Sequence, residues 1–473
     1  MSLSVAIARN TIVQTAGKML SIAFGWATLL VLTNYLGAAS FGSFTIISAY
    51  LQFFGVMADL GLVLVTAQLL AERPNERERV FANLLAFRLT TAAALLVLAP
   101  LLIWLFPYSP VVKQGVVILA VSFFLVALLQ VFTGLFQKEL AMARSLLAEL
   151  AGRATLLTVA LFAATQGRGV LFIVSGIVVS SAVNFGLATR LARPFVRLTL
   201  AYDPILWRLI WQRSWPIAAG VVLNLVYLKA DTLILSLVRT EAEVGVYGAM
   251  YRVLEVLVTF PTMFAGLLLP VLSAAWVRQE LEAFRTTAQH ALNALLLAAV
   301  PLVVGVGFTA ARLAALFGPD FATAGFVLWL LVLSAAIIFV GTFFGHLIVA
   351  VNRQRSMLWA YGLTAAVSLI GYLILIPLYG ALAAASLTVA AELLVAVLAG
   401  AVLKRTVGIS LKFNALGSAL VAAGPMALLL WTAAALPLVL LILLAAVCYI
   451  TILVLLGALP LAFIRRLVSI ETI

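Results

Sequence analysis

Apolar runs of membrane-crossing length follow one another along this chain, separated by short breaks of glycine, proline and clustered charge. A helix rises about 1.5 Å per residue, so roughly 20 apolar residues cross the hydrocarbon of a bilayer. Fourteen runs meet that measure: 11–36, 41–70, 80–106, 112–137, 145–166, 169–192, 215–238, 244–272, 288–309, 323–350, 356–377, 380–403, 413–433 and 437–463. The alternating segments of about ten residues that mark a membrane β-barrel are not seen. The pattern predicts an all-α polytopic membrane protein with about 14 transmembrane helices.

Composition agrees with the pattern. The 473 residues are 65% hydrophobic and only 10% charged, with a mean hydropathy of +1.23. Soluble domains run nearer half apolar and a quarter charged. The single cysteine, Cys448, can form no internal disulfide, and the two histidines, His290 and His346, lie too far apart for a metal-ligand cluster. No phosphate-cradling G-x-x-x-x-G-K-[ST] loop occurs, which argues against ATP hydrolysis by this chain. Lys18 interrupts the first apolar run and no small-residue cleavage site follows it, so that run is expected to be a membrane helix rather than a cleaved signal.

The formal charge of +13 would suit a nucleic-acid binder until the cations are placed on alternate connections. One side receives Arg73, Arg77 and Arg79, Lys138 and Arg144, the arginines between 190 and 213, Arg278 and Arg285, Arg353 and Arg355, Lys404, Arg405 and Lys412, and Arg465 and Arg466. The other side receives Lys113, Arg168, Arg239 and Arg312. The positive-inside rule makes the crowded side cytoplasmic, with both termini there. The basicity then sets topology and attracts anionic membrane lipid, and no nucleic-acid partner is expected.

The longest connection, RPFVRLTLAYDPILWRLIWQRSWP, carries a cap-then-proline helix start at Asp203–Pro204. Trp207, Trp211 and Trp215 with Arg208 and Arg213 suit a helix lying in the membrane interface, or an ordinary linker. It divides two halves that echo each other. FGSF at 41–44 matches VGVY at 244–247, and LFPYSP at 105–110 matches LFGPDF at 316–321, at an offset of a little over 200 residues and in the same orientation. The expected architecture is therefore two six-helix lobes in a parallel repeat, 1–202 and 203–405, plus two C-terminal helices in 406–473.

Inside these runs stand charges that lipid does not tolerate. An isolated charge at mid-bilayer costs about 2.5–3.5 kcal/mol on insertion scales. Taking the turn after the seventh span as 241–242 sets Asp231 level with Arg252 and Lys229 level with Glu255, roughly 15–18 Å below the surface. Arg252 and Glu255 also share one helix face. A first turn centred on GAAS at 37–40 sets Lys18 level with Asp59. Arg88 in the third span has no acid at matching depth in the fourth, where Gln130 falls, Arg153 follows Glu149 by four residues, and Glu392 has no evident partner. One account is that these groups are paired and only fix helix register. The other gives Lys18, Arg88, Arg153, Lys229 and Arg252 to a basic cavity for an anionic ligand such as a pyrophosphate, and Asp59, Asp231, Glu255 and Glu392 to coupling or gating.

These residues bring a family with them. NTIVQTAGKMLSIAFGWATLLVLTNYLGAASFGSFTIISAY at the start, ADLGL at 58–62, SWPIAAG at 214–220, VGVYGAMYRV at 244–253 and LFGPDFATAG at 316–325 together resemble the polysaccharide and O-antigen flippases of the multidrug/oligosaccharidyl-lipid/polysaccharide exporter superfamily. The resemblance spans essentially the whole chain. It implies two lobes around a central cavity, alternating access, and export of an undecaprenyl-pyrophosphate-linked oligosaccharide across the bacterial plasma membrane. No enzymatic step, cofactor or metal is expected; net directional flux calls for a proton or sodium gradient or for downstream consumption, fourteen spans with an internal repeat can form the whole pathway as a monomer, and polysaccharide polymerase machinery is a candidate partner. Asp231 and Arg252 match positions where the family often carries charge. The alternatives are a drug or organic-cation antiporter of the same superfamily, a peptidoglycan lipid-precursor flippase, and a membrane glycan polymerase. The polymerase normally needs a sizeable external loop or a surface acid/base pair, and the external loops here are short.

Overall fold

The computed structural model describes residues 3–59, 62–408 and 410–459. Its helices are α1 (Leu3–Asp59), α2 (Leu62–Glu72), α3 (Arg77–Leu102), α4 (Pro110–Lys138), α5 (Met142–Gln166), α6 (Val170–Ala192), α7 (Pro204–Val238), α8 (Glu241–Val277), α9 (Leu281–Ala315), α10 (Gly325–Ala350), α11 (Leu358–Val407), α12 (Asn414–Thr432) and α13 (Leu438–Leu455). Among the described residues there is no strand.

Among the described residues, eleven stretches are long and apolar enough to cross a bilayer, and two of them, Gly17–Ala58 and Gln354–Arg405, are 42 and 52 residues long. Each of these two is a hairpin of two passes. The first folds at Gly37, with φ +68°, and the second at Gly380, with φ +57°. Glycine enters this backbone region freely because it lacks a Cβ. Taking the hairpins as pairs and adding α7 returns the fourteen passes that the apolar pattern predicts. The all-α membrane architecture stands as read from the sequence.

Packing separates the chain into two compact units, Met1–Gly248 and Ala249–Ile473. In the first, Leu62, Phe81, Phe132, Phe136 and Ile210 are buried in one cluster fed by α2, α3, α4 and the start of α7. Phe81 meets Phe132 edge-on at 5.7 Å, a favourable arrangement for aromatic quadrupoles. In the second, Leu272, Phe284, Leu292, Phe343 and Leu403 form the corresponding core.

The last two helices pack on α9. The Tyr449 hydroxyl donates to the Leu297 carbonyl at 2.9 Å, and Arg312 closes the α12–α13 turn by donating to the carbonyls of Ala434 (2.9 Å) and Leu436 (2.7 Å). The outer face of α13, with Leu443, Val447 and Ile450 exposed, suits lipid. A helix is the form in which such a face can be bare, because its backbone bonds are all internal.

Asp203 does cap a helix: its carboxylate accepts from the N–H groups of Ile205 (2.9 Å) and Leu206 (3.3 Å). That helix is α7 itself, which runs unbroken from Pro204 to Val238. The stretch expected as a separate interfacial helix or a linker is therefore the first turns of α7. The reason is apolar burial against α3: Leu206 and Ile210 are buried, and Trp207 packs edge-on against Phe87 at 5.3 Å. Trp211 and Trp215 stay exposed. Ion pairs on the same side tie the connections down, Arg213 to Glu72 at 2.8 Å and Arg77 to Glu139 at 3.2 Å, with Arg79 on Asp203.

Candidate functional site

The charges placed among the apolar passes fall into five local arrangements. In the first unit, Glu149 on α5 stands between two cations. Lys18 of α1 reaches it at 3.5 Å, and Arg153, one turn further along α5, at 3.6 Å. Ser21 of α1 donates to the same carboxylate oxygen at 2.5 Å. A Cβ at Gly25 would come within 3.2 Å of the Arg153 guanidinium, so the glycine leaves the space that side chain uses between α1 and α5. One carboxylate cannot neutralise two cations. Lys18 and Arg153 keep 43% and 42% of their side chains exposed, so the surplus positive charge is accessible. The partner by depth, Asp59, has its side chain outside the described residues.

Arg88 is used differently. It is 1% exposed and donates to the carbonyl of Ala127 on α4 at 2.7 Å and to the carbonyl of Ala58 near the end of α1. A cation beside the last carbonyls of a helix is favourably placed in the helix dipole. Its guanidinium thus joins three helices, α1, α3 and α4.

Asp231 on α7 is fully buried. It accepts from the Tyr247 hydroxyl at 2.5 Å and from the Thr232 N–H and hydroxyl at 2.5 and 3.1 Å, and Lys229 acts on it electrostatically. Neither tyrosine nor threonine was legible as a partner from charge alone. The turn is the reason: α7 ends at Val238 and α8 begins at Glu241, so its centre lies about two residues earlier than the TEAEV loop suggests. That moves the residue opposite Asp231 from Arg252 towards Tyr247.

In the second unit Arg252 and Glu255 bond each other at 2.7 Å, as their three-residue spacing requires. Glu392 on α11 is 5% exposed, with Tyr361 of the same helix within electrostatic reach. His346 is bound through Nδ1 to the Thr342 carbonyl of its own helix at 2.8 Å, a packed histidine. Among the described residues no group of three or more metal-ligating side chains comes together.

Solved structures with the same arrangement of helices define the class. A lipid II flippase, MurJ, in an inward closed conformation is 13% identical, covers 93% of this chain and 98% of its own, and superimposes with a TM-score of 0.79. An inward-facing multidrug resistance transporter of the MATE family, in the MOP superfamily, is 15% identical, covers 84% and 98%, and gives 0.70. At these identities the likeness is one of fold: this is a polytopic helical membrane protein with the architecture of MOP-superfamily transporters. The family is shown by sequence. The model described as polysaccharide biosynthesis protein matches residues 31–324, more than half the chain, and the chain belongs to that family. A relative from Haloferax volcanii, described as probable flippase AglR, is 26% identical over 211 residues, 44% of this chain and 44% of that protein. The chain thus matches less than half the length of that relative.

Proposed function

We propose that this protein is a flippase that carries an undecaprenyl-pyrophosphate-linked oligosaccharide, a polysaccharide repeat unit, across the bacterial plasma membrane by alternating access. The observation that carries this reading is the Lys18–Glu149–Arg153 cluster, two half-exposed cations on one carboxylate within apolar helices. A pyrophosphate is the kind of ligand such a surplus selects, since charge-assisted bonds to phosphate oxygens are strong. The fold is shared with lipid II flippases and multidrug transporters alike; charge separates them. An organic-cation exporter needs acidic or aromatic walls, and membership of a polysaccharide biosynthesis family favours a glycan over a drug.

The side that holds the basic connections is then cytoplasmic, and both termini with it. Lys229 and Arg252 are further candidates for headgroup contact. Asp59, Asp231, Glu255 and Glu392 are candidates for coupling the cycle to a proton or sodium gradient. Reconstitution tests the proposal. Liposomes containing the full chain and its lipid-linked oligosaccharide should move the glycan between leaflets. Replacing Lys18 or Arg153 by alanine should slow that movement at least about tenfold per cation, the size of one charge-assisted hydrogen bond. Undiminished flux in the K18A/R153A double variant would remove the cluster from the mechanism.

A further inference from the structure

At the basic face of the second unit, the first turns of α9 and the connection between α11 and α12 enclose a cavity of about 300 Å³. Arg285, His290 and Lys412 bring cations or donors to it, and Thr286, Gln289 and Ser410 bring neutral polar groups. None of its described lining residues is an acid. Glu282 meets Arg285 at 3.2 Å from outside, with its own side chain 86% exposed, so it holds the guanidinium only loosely. The walls are fixed to each other. Gln289 donates to the Lys412 carbonyl at 2.6 Å and accepts from the Lys412 N–H at 2.8 Å, and donates to Asn293 at 2.9 Å.

A second cavity of about 600 Å³ lies further along α9, beside α12, and all its lining residues are apolar. Phe413, next to Lys412, begins it, and Leu416 and Leu420 of α12 follow, facing Leu296 and Val300 of α9 and Phe344 of α10. Leu420 and Val397 are lining residues that are also 55% and 59% exposed, so the groove opens sideways onto the apolar surroundings. Positive polar chamber at the membrane face, oily groove further along α9: the pair has the amphipathic layout of one phospholipid.

We propose that these two cavities form a binding site for an anionic glycerophospholipid of the leaflet that faces the basic connections, its phosphate among Arg285, His290 and Lys412 and an acyl chain along α9 and α12. Juxtamembrane cations attract anionic headgroups, and each buried methylene of a chain adds apolar stabilisation. Because the connection leading into α12 lines the polar cavity and α12 itself lines the apolar one, the bound lipid holds the C-terminal helices onto α9. The site does not depend on the transport reading, and either can fail alone.

The test is native mass spectrometry of the full chain in detergent, titrated with phosphatidylglycerol and with phosphatidylcholine of the same chains. Phosphatidylglycerol should bind on the order of tenfold more tightly. R285A/K412A should lower its binding to the phosphatidylcholine level, while R285K/K412R and R353A/R355A, a basic pair that does not line the cavity, should keep it. Equal binding of the two lipids, or retention of the preference in R285A/K412A, would overturn the proposal. Inorganic phosphate displacing phosphatidylglycerol at matched concentration would make the cavity a free-anion site and overturn the lipid assignment. Undecaprenyl diphosphate displacing it at matched concentration would give the groove to the transported lipid, with the same consequence. A folded R285A/K412A protein is expected because both side chains are exposed, and the charge-preserving variant controls for it.

Discussion

Gly42 and Gly245 each pack against the backbone of the other's helix. A Cβ at Gly42 would overlap the Glu241 carbonyl, and one at Gly245 would overlap the Ala38 carbonyl. Gly245 follows Gly42 by 203 residues, and Glu241 follows Ala38 by the same interval. The contact is therefore reciprocal. Small residues at such a crossing let two membrane helices approach closely, and Ser43 adds a hydrogen bond to the Glu241 carboxylate. Because the obstructing atoms are backbone, they cannot rotate away. G42A and G245A should each destabilise the protein by about 1–3 kcal/mol, the usual cost of overpacking. G417A, where nothing lies within 4 Å of the added Cβ, should be near neutral. Thermal unfolding in detergent, followed by gel filtration, reads the difference.

The buried cations divide into a structural one and an accessible pair. Truncating Arg88 strips the carbonyls of Ala58 and Ala127 of a donor at membrane depth. R88A should therefore cost about 2–4 kcal/mol and lower the yield of folded protein. K18A and R153A, at half-exposed side chains, should keep the yield and lose flux. Folded yield and flux measured on the same preparations decide this; a normal yield for R88A would contradict the structural role.

Asp231 should show the same division within one residue. D231N keeps one oxygen to accept from the Thr232 N–H and hydroxyl, and its amide N–H can donate to the Tyr247 hydroxyl oxygen in place of the bond that Tyr247 donates, so the fold should hold while the charge is gone. Y247F removes a bond to a buried carboxylate and should destabilise by about 1–3 kcal/mol. If Asp231 couples transport, D231N flux will no longer respond to an imposed proton or sodium gradient. An unchanged gradient response would leave Asp231 as a register-setting group.

Acid should loosen the connections between helices. Hydrogen bonding to Arg213 holds the Glu72 carboxyl below its ordinary 4.5, and hydrogen bonding to Arg79 holds Asp203 below its ordinary 3.8. A carboxyl whose value is lower folded than unfolded adds stability that is complete above the unfolded value and disappears as pH falls through the folded one. Wild-type protein should therefore lose stability below about pH 4.5, and E72Q/D203N should lose less over the same interval. The D203N side chain still caps α7, since asparagine is a good N-cap. Unfolding temperature against pH for the two proteins checks it; parallel curves would contradict the assignment.

How much of this could be read from the residues alone follows from what each feature depends on. Passes depend on local apolar length, and hairpin turns on single glycines, so both were legible. Partners depend on which helices meet. Lys18 is 131 residues from Glu149, and a depth argument confined to one hairpin could not reach α5, although Arg153 and Glu149 on one helix were within its range. Two of the acceptors of Arg88 are the backbone carbonyls of Ala58 and Ala127, which no sequence displays. Tyr247 is a phenol and not an opposite charge, and the turn lies two residues earlier than the TEAEV loop suggests, so charge and depth do not point to it. The cavity near Arg285 joins the first turns of α9 to a connection more than 100 positions away, and only the fold brings them together.

The central claim is that this protein moves a lipid-linked glycan away from the side on which it is made. The direct measurement is the pool and sidedness of that glycan in cells depleted of the protein, probed with a glycan-modifying reagent that does not cross membranes. The account predicts an enlarged pool of lipid-linked oligosaccharide shielded from the reagent on the cytoplasmic face. A pool of normal size and normal accessibility, in cells newly sensitive to cationic dyes, would contradict it and assign the fold to drug export.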